Sequence, residues 1–500
     1  MGCEFQIPEP LIQHIQSFLT GKKAAQTTVL SKSWHSAWLT RPNLEFNEAD
    51  FLRKRSYYDD DRFNYVFSDF AKKTIQRYEE SNRSIERLSL HIKTRSPSMV
   101  DLASELIMRA LKIGVTHLSC DYPKLKGLIL PSEVDDCFRE FVLPKEVFEA
   151  ENLVELSLIG CEIGINSMKC LSLKSLSLKE AGIESIYNII SSCPLIQKLS
   201  LTYIYGTHEA WPTTVLPKLS ELRCLVLCDV RFGTLWCLGD LLPMFPSLQD
   251  LTLIHCVDVR EVCSPSLERL TFKPSNFGSR VEFDIPSIDK FTFEGSIIPS
   301  VCFKSTSSKY WESHVSIKCE YDRAHLSTSW FLELNQLLTE LSQSKIYLSL
   351  HVKSKYSFDY EVGGFEGLPK PQVENVTVNM YCLPSLSCYA LFDGLFRICR
   401  PRFITLDLLP QWHDDNLHEW NDYAKKNNDF ICKTLVQAMK RTCSFQILCM
   451  NGLHDLEEVN VKLYDKDVPA WRPLPLESLL DASKSLTEWQ KIRFQLKWNL

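Results

Sequence analysis

An apolar motif, L-x-x-L-x-L, recurs along much of the chain. From Leu153 onward its copies start 20, 23, 26, 26, 19 and 21 residues apart. Within each copy apolar and polar residues alternate, which predicts a short strand with one buried face. The copies begin at Ile85, Val115, Leu153, Leu173, Ile196, Leu222, Leu248, Leu267 and Ile288.

This interval is typical of leucine-rich repeats. One strand and its return segment cannot bury an apolar face alone, so consecutive copies must stack on one another. The sequence therefore predicts an α/β fold, with a curved leucine-rich-repeat solenoid of irregular repeats over residues 83–300. Cysteines recur near the predicted turns, and we interpret them as packing residues: Cys161, Cys193, Cys228 and Cys256.

Beyond residue 300 the repeat becomes less regular. Strand-like alternation continues near Ile317, Ile346, Val373, Leu406 and Leu456. Helical spacing predicts helices over Trp330–Leu341 and about Asp429–Thr442. We expect degenerate repeats continuing the solenoid over 301–465, with a separate C-terminal domain as the alternative. The last segment, 466–500, has helix-like periodicity and is predicted to cap the array.

The first forty residues predict three short helices. One helical face holds a first apolar set, Leu11, Ile12, Ile15, Phe18 and Leu19, and a face farther along holds a second, Leu30, Trp34, Ala37 and Trp38. Pro8 and Pro10 suit a helix entrance, Gly21 a stop, and Pro42 an exit. A unit this small buries too little surface to be stable alone, so it needs a partner or the rest of the chain.

A helical linker is predicted over residues 47–82. Phe63, Val66, Phe67, Phe70 and Thr74 keep helical spacing there, and we expect this helix to pack under the first repeat.

The segment IPEPLIQHIQSFLTGKKAAQTTVLSKSWHSAWLTRPNLEF resembles an F-box of the plant type that precedes leucine-rich repeats. The resemblance rests on an Ile-Pro pair, apolar residues at helical spacing, Phe-Leu, a VLSKxW core and a proline-containing exit. SMVDLASELIMRALKIGVTHLSC and FVLPKEVFEAENLVELSLIGCEI are also similar to this family. Pro10 and Lys23 depart from the pattern, since the family usually has acidic residues at these positions.

The resemblance implies a three-helix F-box over residues 5–46 that docks on a Skp-family adaptor, which bridges to cullin and RING subunits. The protein would be a non-catalytic substrate receptor of an SCF-type ubiquitin ligase. Trp38 is expected to pack internally or to join the adaptor contact. The implied adaptor-binding residues are Pro8, Leu11, Ile12, Ile15, Leu19, Val29, Leu30, Ser31, Lys32 and Trp34.

The repeats would then hold a target protein for ubiquitination. Candidate target-binding residues lie beside the predicted strands: Lys179, Glu180, Tyr203, Tyr205 and Asp229. Two alternatives remain open. The chain could be a small-molecule (hormone) sensing receptor, or a non-ligase scaffold that uses its F-box only to pair with the adaptor.

Composition and charge limit the classes of function that the chain can have. The formal net charge of -6 disfavours nucleic-acid binding. No apolar run is long enough to span a membrane, and no signal peptide is recognisable at the first residues. The 19 cysteines are scattered, without a C-x-x-C pair, which indicates reduced thiols and predicts a nuclear and/or cytoplasmic protein.

Motifs for chemistry are missing from the sequence. There is no phosphate-binding loop, no dinucleotide fingerprint and no H-E-x-x-H. The stretch WHDDNLHEW, from Trp412 to Trp420, is interpreted as a polar loop, with a metal site as the alternative. We predict no catalytic residue, metal or cofactor.

Overall fold

A computed structural model gives the architecture of two compact units, Met1–Trp236 with Met244–Leu248, and Cys237–Pro243 with Gln249–Leu500. It describes residues 7–51, 60–93, 96–122, 141–163, 170–183, 193–204, 219–230, 238–257, 259–274, 280–306, 310–319, 327–353, 364–381, 385–407, 453–465, 470–475 and 489–499.

The helices of the described residues are mostly short. They are α1 (Glu9–Ser17), α2 (Gly21–Gln26), α3 (Lys32–Thr40), α4 (Asp60–Glu80), α5 (Pro97–Ile113), α6 (Glu146–Glu149), α7 (Leu238–Leu241), α8 (Thr328–Glu340) and α9 (Ser385–Ile398). Single turns of 3₁₀ helix lie at Thr27–Val29, Glu48–Asp50 and Leu242–Met244.

Parallel strands form the main sheet of the first unit. They pair in the order β1 (Asn43–Asn47), β2 (Arg87–His91), β3 (His117–Asp121), β4 (Glu155–Ile159), β6 (Ser175–Lys179), β8 (Lys198–Thr202) and β9 (Cys224–Cys228). The short strands β5 (Glu162–Ile163) and β7 (Gly182–Ile183) pair separately. The predicted motif strands are confirmed as β2, β3, β4, β6, β8 and β9, whereas the motif predicts neither β1 nor the short β5 and β7.

Alternation along each strand separates core from surface. In β4 the side chains of Leu156 and Leu158 are fully buried, while Ser157 between them is partly exposed. The same pattern holds in β6 for Leu176, Leu178 and the intervening serine. Because parallel partners are in register, the buried leucines form continuous rows across neighbouring strands.

The chain leaves several strands through a left-handed residue. Glu180, Tyr203 and Asp229 directly follow β6, β8 and β9 and have φ angles of 52°, 51° and 53°. The backbone N–H of Glu180 donates to the carbonyl of Thr202 at 2.9 Å, and that of Tyr203 to Cys228 at 3.0 Å. The corners at Glu180 and Tyr203 therefore each add one hydrogen bond to the next strand.

The predicted linker helix is confirmed as α4, which packs against α5. Phe67 and Ile75 of α4 are fully buried. Arg109 of α5 donates to both carboxylate oxygens of Glu79 at 2.9 and 2.6 Å. The Tyr78 hydroxyl donates to the backbone carbonyl at the end of α3, so α4 is attached to the N-terminal helices as well.

The second unit has a main sheet and a smaller parallel sheet. The main sheet pairs β10 (Asp250–Ile254), β12 (Arg269–Lys273), β14 (Lys290–Gly295), β16 (Glu312–Cys319), β17 (Lys345–Lys353), β18 (Gln372–Tyr381) and β19 (Arg400–Asp407) in parallel. The smaller sheet contains β11 (Glu261–Cys263), β13 (Val281–Asp284) and β15 (Val301–Ser305).

Phenylalanines fill the space between these two sheets. Phe283 of β13 lies 5.9 Å from Phe272, 5.7 Å from Phe291 and 5.1 Å from Phe303, measured between ring centroids. All these rings except Phe303 are at least 97% buried, so aromatic packing forms the core where the leucine motif changes to phenylalanine.

An antiparallel group follows β19. It consists of β20 (Leu456–Asp465), β21 (Trp471–Leu474) and β22 (Trp489–Trp498). The strand β22 lies between β19 and β20 and is antiparallel to both, while β21 pairs with β20. The described end of the chain therefore covers the free edge of β19.

The helices predicted for the second unit have different outcomes. The helical interpretation of the C-terminal segment is wrong for residues 489–498, which form a strand with Ile492, Phe494 and Leu496 buried in alternation. The helix predicted at Trp330–Leu341 is confirmed as α8, whereas α9 was not predicted. The helix predicted at 429–442 lies outside the described residues.

The contact between α8 and α9 requires a glycine. A Cβ atom at Gly394 would lie 2.3 Å from the ring of Phe331 in α8, well inside van der Waals contact. We expect Gly394→Ala to destabilise the second unit by about 1–3 kcal/mol through overpacking. Differential scanning calorimetry would detect this as a lower unfolding temperature.

Gln336→Ala is the matched control, because Gln336 lies on the exposed side of α8. Its effect should stay within about 0.5 kcal/mol. Combining Gly394→Ala with Phe331→Leu should remove most of the penalty. An equal penalty in both backgrounds would show that the Phe331 ring is not its cause.

Candidate functional site

The helix α1 has an inner and an outer face. Pro8 precedes it, and prolines in the first turn remove N–H groups that have no partner inside a helix anyway. On the inner face Ile12 and Gln16 are buried at 1% exposure. The Gln16 amide donates to the Thr27 hydroxyl at 2.9 Å and to the Trp34 carbonyl at 3.2 Å, which attaches α1 to α3.

Hydroxyl caps fix the starts of α2 and α3. The Thr20 side chain accepts from the Lys23 N–H, and the Ser31 side chain accepts from the Trp34 N–H, each at 3.4 Å. These caps set where each helix begins, and Val29 and Leu30 lie in the turn before α3. Because Thr20 supplies the cap of α2, Lys23 lies inside that helix.

The outer faces of these helices expose a group of large apolar side chains, which we call the outer patch. Its members, with their exposed fractions, are Leu11 (54%), Ile15 (42%), Phe18 (76%), Val29 (85%) and Leu30 (63%). Such side chains stay in water at a cost of up to about 1.5–3 kcal/mol each relative to full burial. Several large apolar side chains exposed together on one short segment are typical of an interaction site.

Nine of the ten predicted adaptor-binding residues divide into three groups. Leu11, Ile15, Val29 and Leu30 belong to the outer patch. Pro8, Ser31 and Lys32 are exposed polar or entrance positions beside it, and Leu19 and Trp34 are partly buried.

Ile12 has a different position. Its side chain is almost completely buried inside the three helices, so it is a core residue there and presents no surface to a partner. Phe18 is not among the predicted adaptor-binding residues, but its side chain is strongly exposed. Its spacing was the available signal, because Phe18 follows Ile15 by three residues and Leu11 by seven on one helical face.

Trp38 packs within the first unit. The guanidinium of Arg77 in α4 lies 5.7 Å from the centroid of its ring, and that of Arg41 lies 5.8 Å away. Burial, and secondarily the nearby Arg77 charge, lowers the pKa of Arg41. Two guanidinium groups therefore stack on one indole at the junction between α3 and the linker helix.

The structure brings three of the predicted target-binding residues together. Glu180, Tyr203 and Asp229 occupy equivalent corners after neighbouring strands. A hydrogen bond to the Asp229 carboxylate, with the charge of that group, raises the pKa of Tyr203. Lys179 is exposed at the end of β6. Tyr205 lies outside the described residues.

Metal ligands and cysteine thiols are the remaining candidates for chemistry among the residues that the structure describes. No cluster there has three His, Cys, Asp or Glu side chains positioned to hold a metal ion. Cys161, Cys193, Cys228 and Cys256 form no disulfide, and burial raises the pKa of Cys193 to about 12. His413 and the other residues of WHDDNLHEW lie outside the described ranges. Among the described helices, none combines the length and the apolar character needed to cross a bilayer.

Comparison with known proteins finds relatives in Arabidopsis thaliana. An FBD-associated F-box protein is 30% identical over 236 residues, which are 45% of this chain and 48% of the relative. An F-box/LRR-repeat protein is 27% identical over 288 residues, 57% of this chain and 51% of the relative. An F-box/FBD/LRR-repeat protein is 26% identical over 235 residues, 46% of each.

No protein-family model matches the chain. The aligned part spans about half the length of each of these relatives. The predicted resemblance is confirmed: over about half of its length the chain is similar to plant F-box and F-box/leucine-rich-repeat proteins.

Proposed function

We propose that the chain is the substrate-recognition subunit of an SCF-type ubiquitin ligase. The observation that carries this proposal is the outer patch, because five large apolar side chains stay exposed on a segment too small to be stable alone. Anchors of this kind dominate protein interfaces when a partner covers them. The names of the Arabidopsis relatives, which are F-box proteins, support the same proposal.

Residues 5–46 would form the F-box, and the outer patch would dock on a Skp-family adaptor. Ser31 and Lys32 lie beside Leu30 and would line the rim of this contact. Cullin and RING subunits would join through the adaptor. Pro10 is exposed in the first turn of α1, where a proline is tolerated, so this departure from the family pattern leaves the helix intact.

The strands after residue 83 would hold the target protein. We assign residues 47–82 to a linker, 83–300 to leucine-rich repeats, 301–465 to degenerate repeats of the same solenoid, and 466–500 to its cap. Glu180, Tyr203 and Asp229 supply a polar row at the strand ends that a target can contact. Such a complex would work in the nucleus, the cytoplasm or both.

A substrate receptor accelerates ubiquitin transfer by holding the target close to the ligase. A receptor bound to both the ligase and the target converts ubiquitin transfer into a reaction within one assembly. The large rate gain comes from effective concentration, so no bond-making side chain is needed in the receptor itself.

Leu30→Asp should weaken binding to a purified plant Skp-family adaptor by at least about tenfold, because it places a charge in the centre of the interface. Isothermal titration calorimetry with the full chain measures the change. Leu171→Asp is the matched control, since Leu171 is 57% exposed in the turn before β6, away from the outer patch.

The control should bind the adaptor like the unmodified chain, and circular dichroism should show both variants folded. Equal weakening by the two substitutions, or none by Leu30→Asp, would contradict docking through the outer patch.

A second prediction separates a ligase receptor from a non-ligase scaffold. The adaptor-bound chain should co-elute with a cullin–RING pair and should support ubiquitin transfer to itself when E1 and E2 enzymes are added. Size-exclusion chromatography and a ubiquitination gel measure these outcomes. Adaptor binding without cullin association or transfer would favour the scaffold.

A further inference from the structure

One cross-strand row of the second unit combines two neighbouring, half-buried cations. Arg493 of β22 is in register with Lys462 of β20 on one side and with Thr405 of β19 on the other. Like charges directly opposite each other on a sheet are destabilising. This arrangement therefore costs stability unless an anion lies over it.

Aromatic and polar contacts hold the Arg493 side chain in place. Its guanidinium carbon lies 4.1 Å from the ring centroid of Trp471 and 5.6 Å from that of Phe403. The Nε–H donates to the Thr405 hydroxyl at 3.2 Å. The ring of Trp471 packs against that of Tyr464, with their centroids 5.2 Å apart. The ring that contacts Arg493 is therefore itself held in place by a neighbouring strand.

Arg493 is distinguished from nearby arginines by its partners. Arg402 pairs with Glu374 at 3.3 Å, and Arg400 forms an ion pair with Asp455. Among the side chains that the structure describes, no carboxylate forms an ion pair with Arg493 or Lys462. Burial lowers the pKa of Arg493, with no described charge to offset it.

We propose that Arg493 is the anchor for a carboxylate side chain from an acidic segment of a partner protein, with Lys462 beside it. The face of the guanidinium is covered by Trp471, and Nε donates to Thr405, which leaves the two terminal nitrogens for a ligand. Their planar fork matches a carboxylate in bidentate geometry. The stack on Trp471 limits the freedom that Arg493 would lose on binding.

The neighbouring surface accommodates the rest of such a segment. A cleft of about 290 Å³ lies alongside, lined among others by Arg402, Asn460, Gln495 and Lys497. Gln495 lies two residues after Arg493 on the same face of β22. Asn460 of β20 is the partner of Gln495 in register. The amides of Asn460 and Gln495 suit the backbone of a peptide. The cations Arg402 and Lys497 are already paired with Glu374 and Glu457, and Glu458 also lines the cleft, so the acidic side chain is selected by Arg493 and Lys462.

An acidic peptide fits this surface better than a nucleic acid does. Single-stranded nucleic acid needs aromatic faces on which bases stack, and here a guanidinium covers Trp471. The formal net charge of -6 also opposes a long polyanion. A short acidic segment needs the local pair of cations alone.

This inference goes beyond the proposed ligase role and does not require adaptor binding. Its test uses the full chain and a fluorescein-labelled peptide, Gly-Glu-Glu-Gly-Glu-Glu-Gly, in fluorescence anisotropy at low salt. Arg493→Gln should raise the Kd at least about tenfold, the loss expected for a bidentate charged contact. Arg493→Lys keeps the charge without the fork and should weaken binding less.

Lys345→Gln is the matched control. It removes one cation from an exposed position of β17, a strand that pairs with β16 and β18 and lies outside this surface, so the Kd should stay unchanged. Lys462→Gln should weaken binding several-fold through the lost second cation and serves as a further variant if Arg493→Gln lowers the melting temperature.

Two results would overturn the proposal. One is equal affinity of the unmodified chain and the Arg493 and Lys462 variants for the peptide. The other is displacement of the peptide by oligo-dT at lower concentration than by unlabelled Glu peptide. Retained adaptor binding in Arg493→Gln would separate this surface from the ligase role.

Discussion

Burial of alternate apolar side chains along parallel strands is the interaction on which both units depend. A strand of five residues, such as β4 or β6, buries two leucines on one face and leaves serine on the other. Neighbouring strands in register turn these pairs into continuous rows, so each repeat is stabilised by the next. Where leucine changes to phenylalanine around Phe283, the same rule operates with larger side chains.

Burial of apolar side chains also explains the two faces of the N-terminal helices. On their inner face Ile12 is buried and Gln16 forms hydrogen bonds with the other helical segments, so this face packs within the chain. The outer patch stays in water because no other described segment covers it. Hydrophobic burial therefore stabilises the repeats internally and, in the proposed function, joins the chain to its adaptor.

Much of the fold was predictable from local periodicity. The motif strands have a period of two, and α4, α5 and α8 have helical spacing, so both kinds of element follow from residues close in sequence. The sequence predicts a helix for the last strand, β22, because its few apolar residues fit the 3.6-residue period of a helix as well as the two-residue period of a strand. Pairing with β19 and β20, which lie far away in sequence, decides in favour of the strand.

The sequence by itself determined the repeat interval and the apolar character of the N-terminal helices, because both depend on neighbouring residues. Gly21, by contrast, is predicted to end a helix but begins α2, where the Thr20 side chain caps it. Tertiary structure alone decided that Ile12 is internal while Phe18 is exposed, since three helices must come together to cover one side. It also brought Trp471 and Thr405 to Arg493, which no local pattern indicates. Such contacts between distant strands depend on sheet register, and register is fixed by the whole set of pairings.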